Sequence, residues 1–261
     1  MKIQYASDLH LEFHENSRWL KENPQVAVGD VLILAGDIGY LGDDNYEHHP
    51  FWDWCAESFK QTIVIPGNHA LYKSFDINDL HEGWQLDIRP NVKVCYNCLI
   101  SLAPNIDLIA STLWAMIHPY DKYQTERGVT DFHRIRKGQF RLSAQRFNQE
   151  HERCREFIER SVELSNAKHI IVATHHVPSF ELMAEEFKGS PINGAFTSEL
   201  GDFIAKSRIE YWIYGHSHRN INKTIGNTRC ICNQLGYTFY GEQADFRRDA
   251  IIEIYDNELQ I

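Results

Sequence analysis

Val31-Leu32-Ile33-Leu34-Ala35-Gly36-Asp37 sets the reading of this chain. An apolar run of strand length ends in a glycine and then a carboxylate. A run without polar alternation suits a strand buried on both faces. The same grammar recurs along the sequence. Ile3 to Ala6 leads to Asp8 and His10, and Thr62 to Ile65 leads to Pro66-Gly67-Asn68-His69. Ile170 to Ala173 leads to Thr174-His175-His176, and Tyr211 to Tyr214 leads to Gly215-His216-Ser217-His218. If these strands share a sheet, their carboxyl ends share an edge, which is where α/β proteins place ligands.

The residues at those ends are Asp, His, Asp, Asn and five further histidines beyond His10. Imidazole, carboxylate and amide oxygen together suit borderline first-row metals. Alternate residues of an extended loop point the same way, so Asp8 and His10 can reach one ion, as can His216 and His218. Glycine before Asp37, Asn68 and His216 lets the backbone turn sharply and approach an ion. Each motif alone is weak. All of them in this order, each directly after a strand, make a metal site the reading.

Between the strands lie helical patterns at Phe51 to Phe59, Phe75 to Trp84 and Gln139 to Leu164. In the last, Phe140, Phe147, Cys154, Phe157, Ile158 and Val162 recur near helical spacing, an amphipathic scaffold helix. Val92 to Cys95, Ile106 to Ala110, Arg229 to Cys232 and Ile251 to Tyr255 add strand candidates. Alternating strands and helices argue an α/β layered fold. No repeat or linker marks a boundary, so residues 1–261 are read as one domain.

The chain has 261 residues, 43% apolar and 24% charged, which excludes a disordered, collagen-like or coiled-coil protein. No run approaches the length of a membrane span. A net charge of −10 argues against general nucleic-acid binding. There is no secretory pattern at the start, so the expected compartment is the cytoplasm, with reduced thiols. Cys95-x-x-Cys98 and Cys230-x-Cys232 lie far apart, and a Cys-x-Cys half is not the usual zinc spacing, so these are read as structural thiols. Histidine numbers 14, and the eight outside the motifs are assigned to the surface.

At this point the sequence resembles the calcineurin-like metallophosphoesterase superfamily, in a small bacterial-type branch. The pattern Asp-x-His, Gly-Asp, Gly-Asn-His, a later His and Gly-His-x-His runs here from Asp8 to His218. Ser111-Thr112-Leu113-Trp114, Asp131-Phe132-His133-Arg134-Ile135-Arg136 and Asn233 to Tyr237 are also similar to that branch. The resemblance implies a two-sheet β-sandwich flanked by helices, a four-layer αββα arrangement, with two divalent ions (Mn, Fe or Zn) at the strand ends. Asp8, His10, Asp37 and His218 would hold the first ion, and Asp37, Asn68, His175 and His216 the second, with Asp37 bridging. His176 is the alternative to His175; whichever is spare would face substrate or support a ligand. A hydroxide bridging the ions would attack phosphorus, with His69 donating a proton to the leaving group. The substrate would be a small phosphoester, diesters favoured over monoesters. Arg134 and Arg136 could meet its phosphate, and Trp114, His118, Tyr120 and Tyr123 could wall its pocket.

Two positions depart from the pattern. Ala70 stands where the resemblance expects the acid that orients His69, so restoring an acid there should raise turnover if His69 is the proton donor. Asp37 is followed by Ile38-Gly39-Tyr40 rather than the Asp-Arg-Gly element of Ser/Thr protein phosphatases, which argues against that activity. A catalytically weak metal-binding scaffold of the same fold is the rival reading.

Overall fold

The computed structural model describes residues 1–73 and 75–255. Its strands are β1 (Lys2–Ala6), β2 (Val31–Leu34), β3 (Gln61–Val64), β4 (Trp84–Arg89), β5 (Val92–Tyr96), β6 (Cys98–Ala103), β7 (Ile106–Ser111), β8 (Arg136–Lys137), β9 (Phe140–Arg141), β10 (His169–Thr174), β11 (Tyr211–Tyr214), β12 (Lys223–Ile225), β13 (Thr228–Cys232) and β14 (Ile251–Glu253). The helices are α1 (His14–Glu22), α2 (Phe51–Ser58), α3 (Lys122–Gly128), α4 (Asp131–Arg134), α5 (Ala144–Leu164) and α6 (Gly201–Lys206).

Two six-stranded sheets carry the fold, ordered β14-β1-β2-β3-β5-β4 and β12-β13-β11-β10-β7-β6. In each, the inner strands run parallel and both edge strands are antiparallel. The five motif strands therefore do not share one sheet. β1, β2 and β3 lie in the first, and β10 and β11 in the second.

Strand period decides what each residue packs against. Ile33 and Ile171 point into the core between the sheets, with Tyr5, Ile63, Leu108 and Ile213. Their neighbours Leu32 and Leu34 face outward onto Trp52 and Cys55 of α2. Ile170 and Val172 face outward onto Phe157, Ile158 and Val162 of α5. Helix, sheet, sheet and helix thus form the four expected layers. Each fully buried Leu or Ile side chain contributes about 1.5–3 kcal/mol, so the apolar runs are the main source of stability.

The helix expected over Phe75 to Trp84 does not form. Asp76 Oδ1 accepts from the Asn78 amide at 2.8 Å, closing a short turn over Ile77–Asp79. Gly83 then sits at φ 79° and Trp84 opens β4. The long helix starts later than expected, at Ala144, capped by Ser143, and Phe140 lies exposed on the β8–β9 hairpin. Tyr46 and Trp52 pack as a nucleus for α2, with the Trp52 indole donating to the Tyr46 carbonyl at 2.6 Å. All six cysteines are free and buried, as structural thiols should be.

Candidate metal centre

The chain leaves the motif strands through strained backbone. Asp8, His10, Asp37, His216 and His218 have φ of 54°, 47°, 51°, 75° and 51°. This left-handed region costs an ordinary residue about 1–3 kcal/mol and persists only where surrounding contacts hold it. Here the Asp8 amide donates to the Gly36 carbonyl at 2.9 Å and the His10 amide to the Asp37 carbonyl at 3.0 Å. Gly36 is needed for closeness as well as for its φ of 93°, since a Cβ there would lie 2.1 Å from His175 Nδ1. At Gly67 a Cβ would lie 2.0 Å from Asp37 Oδ1.

The two sheets bring the donors together. His10 Nε2 faces His218 Nε2 at 3.2 Å, and His218 Nε2 lies 3.5 Å from Asp8 Oδ1. His175 Nε2 lies 2.9 Å from Asn68 Oδ1 and 3.3 Å from Asp37 Oδ2. Asp37 Oδ2 is also 4.0 Å from His10 Nε2, so this carboxylate sits between the two groups. The sets Asp8–His10–His218, His10–Asp37–His69 and Asp37–His175–His216 each gather their donor atoms within 4.8 Å.

Anchors behind the donors fix which atom is presented. His10 Nδ1 bonds Glu12 Oε1 at 2.9 Å, His175 Nδ1 bonds the Ala35 carbonyl at 3.0 Å, and His218 Nδ1 bonds Glu242 Oε2 at 2.7 Å. Each turns its Nε2 inward, the usual support of a metal-binding histidine. Asn68 is oriented by its amide nitrogen, which donates to Asp131 Oδ1 at 2.8 Å and to the Tyr72 hydroxyl at 3.2 Å. Its carbonyl oxygen is left for the centre. The donor chemistry and its anchoring fit divalent first-row ions.

The electrostatics have the same cause. Burial opposes charge on Asp37, but His175, His69 and His10 around it hold its carboxyl well below the usual range. Burial also opposes charge on His175, and the Asp37 carboxylate overrides it, pushing the imidazole up to about 9. His218 rises to about 10 against its own burial because Asp8 and Glu242 flank it. His216 falls to about 3 through burial and the neighbouring His175.

A sequence profile described as calcineurin-like phosphoesterase matches residues 1–220. The chain belongs to that family. Calcineurin-like phosphoesterases are metal-dependent in general, and the His/Asp clusters found here can hold such ions. An uncharacterized protein, L509, of Acanthamoeba polyphaga mimivirus is 27% identical over 97% of this chain and 96% of its own. The solved phosphopantetheinyl hydrolase of Mycobacterium tuberculosis aligns over 96% of this chain and 95% of that one, with 15% identity and a TM-score of 0.69. That likeness concerns the fold. Two partners of the centre, Tyr237 and Glu242, lie beyond the matched family region.

His69 stands beside the donors, with Nε2 3.3 Å from the Tyr237 hydroxyl. Its Nδ1 lies 3.1 Å from Glu12 Oε1, the oxygen that also serves His10. Glu12 therefore supplies the carboxylate that Ala70 lacks. Ala70 itself is 4% exposed and packs with apolar residues of the first sheet's outer layer. This reverses the expectation for position 70. Ala70→Glu buries a carboxylate among apolar groups, and the donor it would serve is already engaged. A loss of about 2 kcal/mol or more in urea unfolding is expected, without a gain in turnover. Faster turnover at unchanged stability would mean that a side chain at 70 does reach His69.

Several other assignments change. Of the two roles expected for the spare histidine, the packing of His176 on His216 fits support of a ligand, and it does not line the cavity beside the donors. It is fully buried, its Nδ1 lies 3.3 Å from the Thr112 carbonyl, and its ring lies 4.2 Å from that of His216. Arg134 is exposed, its guanidinium over the Tyr72 ring at 5.6 Å, and Arg136 is exposed on β8. Trp114 is core, packed on Phe147 and His176, while Tyr120 and Tyr123 are exposed. His151 is buried, bonding the Leu113 carbonyl and Ser198.

Beside the donors lies a cavity of about 330 Å³. Asp37, Asn68, His69, His216 and His218 form one wall. None of Arg134, Arg136, Trp114, His118, Tyr120 or Tyr123 lines it. Much of the rest of its lining comes from the stretch 183–196, whose short turns carry no strand-end motif.

Proposed function

We propose that the protein is a dinuclear metal-dependent hydrolase of phosphoric esters, acting on diesters in preference to monoesters. The observation that carries this is a buried carboxylate, Asp37, set between two anchored donor groups. Asp8, His10, Asp37 and His218 would hold one ion, and Asp37, Asn68, His175 and His216 the other. When bound, divalent cations supply Lewis acidity at the phosphoryl oxygens and a water of lowered pKa.

The rest is done by the chain. Glu12, Glu242, Asp131 and the Ala35 carbonyl fix the donors in place, so little reorganisation is needed on binding. His69, its Nδ1 held by Glu12, carries a proton on Nε2 toward the oxygen that leaves phosphorus. Burial opposes charge on His69, but Asp37 and Glu12 raise its pKa above the ordinary value, which favours the acid form. A monoester dianion calls for more positive charge than a diester anion. Arg219 is the one Lys or Arg among the described residues lining the cavity, and it is paired with Glu186 at 2.7 Å. That supports the diester preference.

Partners beyond a small phosphoester are not part of this reading, and the net charge of −10 does not favour a nucleic acid. No helix among the described residues is long and apolar enough to cross a membrane. Six reduced cysteines suit the cytoplasm, where we place the protein.

The test is hydrolysis of bis(p-nitrophenyl) phosphate and p-nitrophenyl phosphate with Mn²⁺, Zn²⁺, Co²⁺ or Fe²⁺, alongside metal analysis. Metal-dependent release of p-nitrophenolate, faster from the diester, is expected. No metal above trace and no hydrolysis would instead favour a scaffold.

A further inference from the structure

The cavity beside the donors has two dissimilar walls. Besides the His/Asp wall the lining contains Val129, Met183, Phe187, Ile192 and Phe196. Val129 is buried, and the other four are only half-buried, so they keep apolar surface open toward the cavity. Phe196 stacks on the His216 ring, centroids 4.9 Å apart and planes 20° apart, so the apolar wall begins against a donor histidine. Charge on this side is spent. Arg219 pairs with Glu186 at 2.7 Å and approaches Glu242 at 3.6 Å, while its guanidinium lies over the Phe187 ring at 5.4 Å. Asp131 and Glu242 add negative charge to the lining. A second phosphate placed here would meet carboxylates and one committed arginine. An uncharged arm would meet apolar surface on a site at the lower end of small-molecule volumes.

We infer that this cavity seats an uncharged apolar arm, alkyl or aryl, of the phosphoester whose phosphate lies at the donor cluster. The inference rests on the phosphoesterase reading. It selects esters of apolar alcohols or phenols over nucleoside polyphosphates and sugar phosphates.

Phosphonates test it without turnover, and they bind whichever arm would have left. Mn²⁺-loaded protein is titrated calorimetrically with methylphosphonate and hexylphosphonate. A methylene removed from water is worth about fourfold in binding, so with about half of its five extra methylenes buried hexylphosphonate should bind about thirtyfold tighter or more. Phe187→Asp and Ile192→Asp, on separate turns of the wall, should each cut that ratio to below about threefold. Equal affinities of the two phosphonates for the wild-type protein would overturn the arm pocket and leave the phosphoesterase reading standing. An unchanged ratio in both folded variants would do the same. Binding of neither phosphonate, together with no ester hydrolysis under any metal, would remove the phosphoesterase reading and this inference with it.

Discussion

Asp37→Ala is expected to lose the metal-dependent hydrolysis of bis(p-nitrophenyl) phosphate by well over a hundredfold, and to hold fewer ions per chain than the wild-type protein. Loss of an outer partner of a metal ligand already costs about 10–100-fold. Asp37 would be a direct ligand to both ions. One of its oxygens lies 3.3 Å from His175 Nε2 and 4.0 Å from His10 Nε2, and the other accepts the His69 amide at 2.9 Å. Among the described residues Asp37 is the one carboxylate shared by two of the donor groups, whereas Asp8 belongs only to that of His10 and His218. Metal analysis by mass spectrometry and initial rates measured on the same sample decide the matter. Wild-type rates with a full metal complement would sink the bridging role.

Glu12→Gln is the second large effect, and its signature is dependence on the leaving group. One oxygen of this carboxylate, whose side chain is 4% exposed, serves His10 at 2.9 Å and His69 at 3.1 Å. An amide keeps the shape and loses the charge. If Glu12 positions His69 as the proton donor, diphenyl phosphate should suffer about a hundredfold loss, within the range of general acid catalysis. Bis(p-nitrophenyl) phosphate, whose leaving group needs little help, should suffer about tenfold or less through His10 alone. Product release by chromatography measures both on one preparation. Equal losses on the two esters would show that Glu12 acts only through His10, and His69 would then have no role as acid.

The strand-end motifs were legible because each is contiguous: a buried run, then its donors within a few residues. Spacing alone was an uneven guide to pairing: Asp8 and His10, two apart, share a donor group, whereas His216 and His218, also two apart and expected to reach one ion, divide between groups, His218 with Asp8 and His10 and His216 with Asp37 and His175. It did not show that the motif strands divide between two sheets, because a run such as Ile170 to Ala173 looks the same in either. The resemblance to a known family supplied that. The segment Phe75 to Trp84 misled because its apolar residues fit a helix, whereas the Asp76 side chain closed a short turn and Gly83 redirected the chain.

What was missed shares one cause. Asp131, Tyr237 and Glu242 act through donors 24 to 168 residues away, and no local pattern marks such a contact. Glu12 is the exception. Asp8, His10 and Glu12 alternate, so their side chains share one side of the loop, a signal that could have found it and was not used. The cavity wall was sought around Trp114 and Tyr120 because aromatic residues cluster there. The wall lies instead on turns whose apolar residues carry no period.

The left-handed backbone at Asp8, His10, Asp37, His216 and His218 bears on how this protein could be engineered. A procedure that ranks substitutions by backbone compatibility would flag these positions first and offer glycine at each, which relieves strain at no steric cost. Every such replacement would improve the local fit while erasing a donor. Thermostabilised versions of this chain should therefore be sought with these positions held fixed, and gains looked for on the outer helices, where conformation and chemistry do not compete.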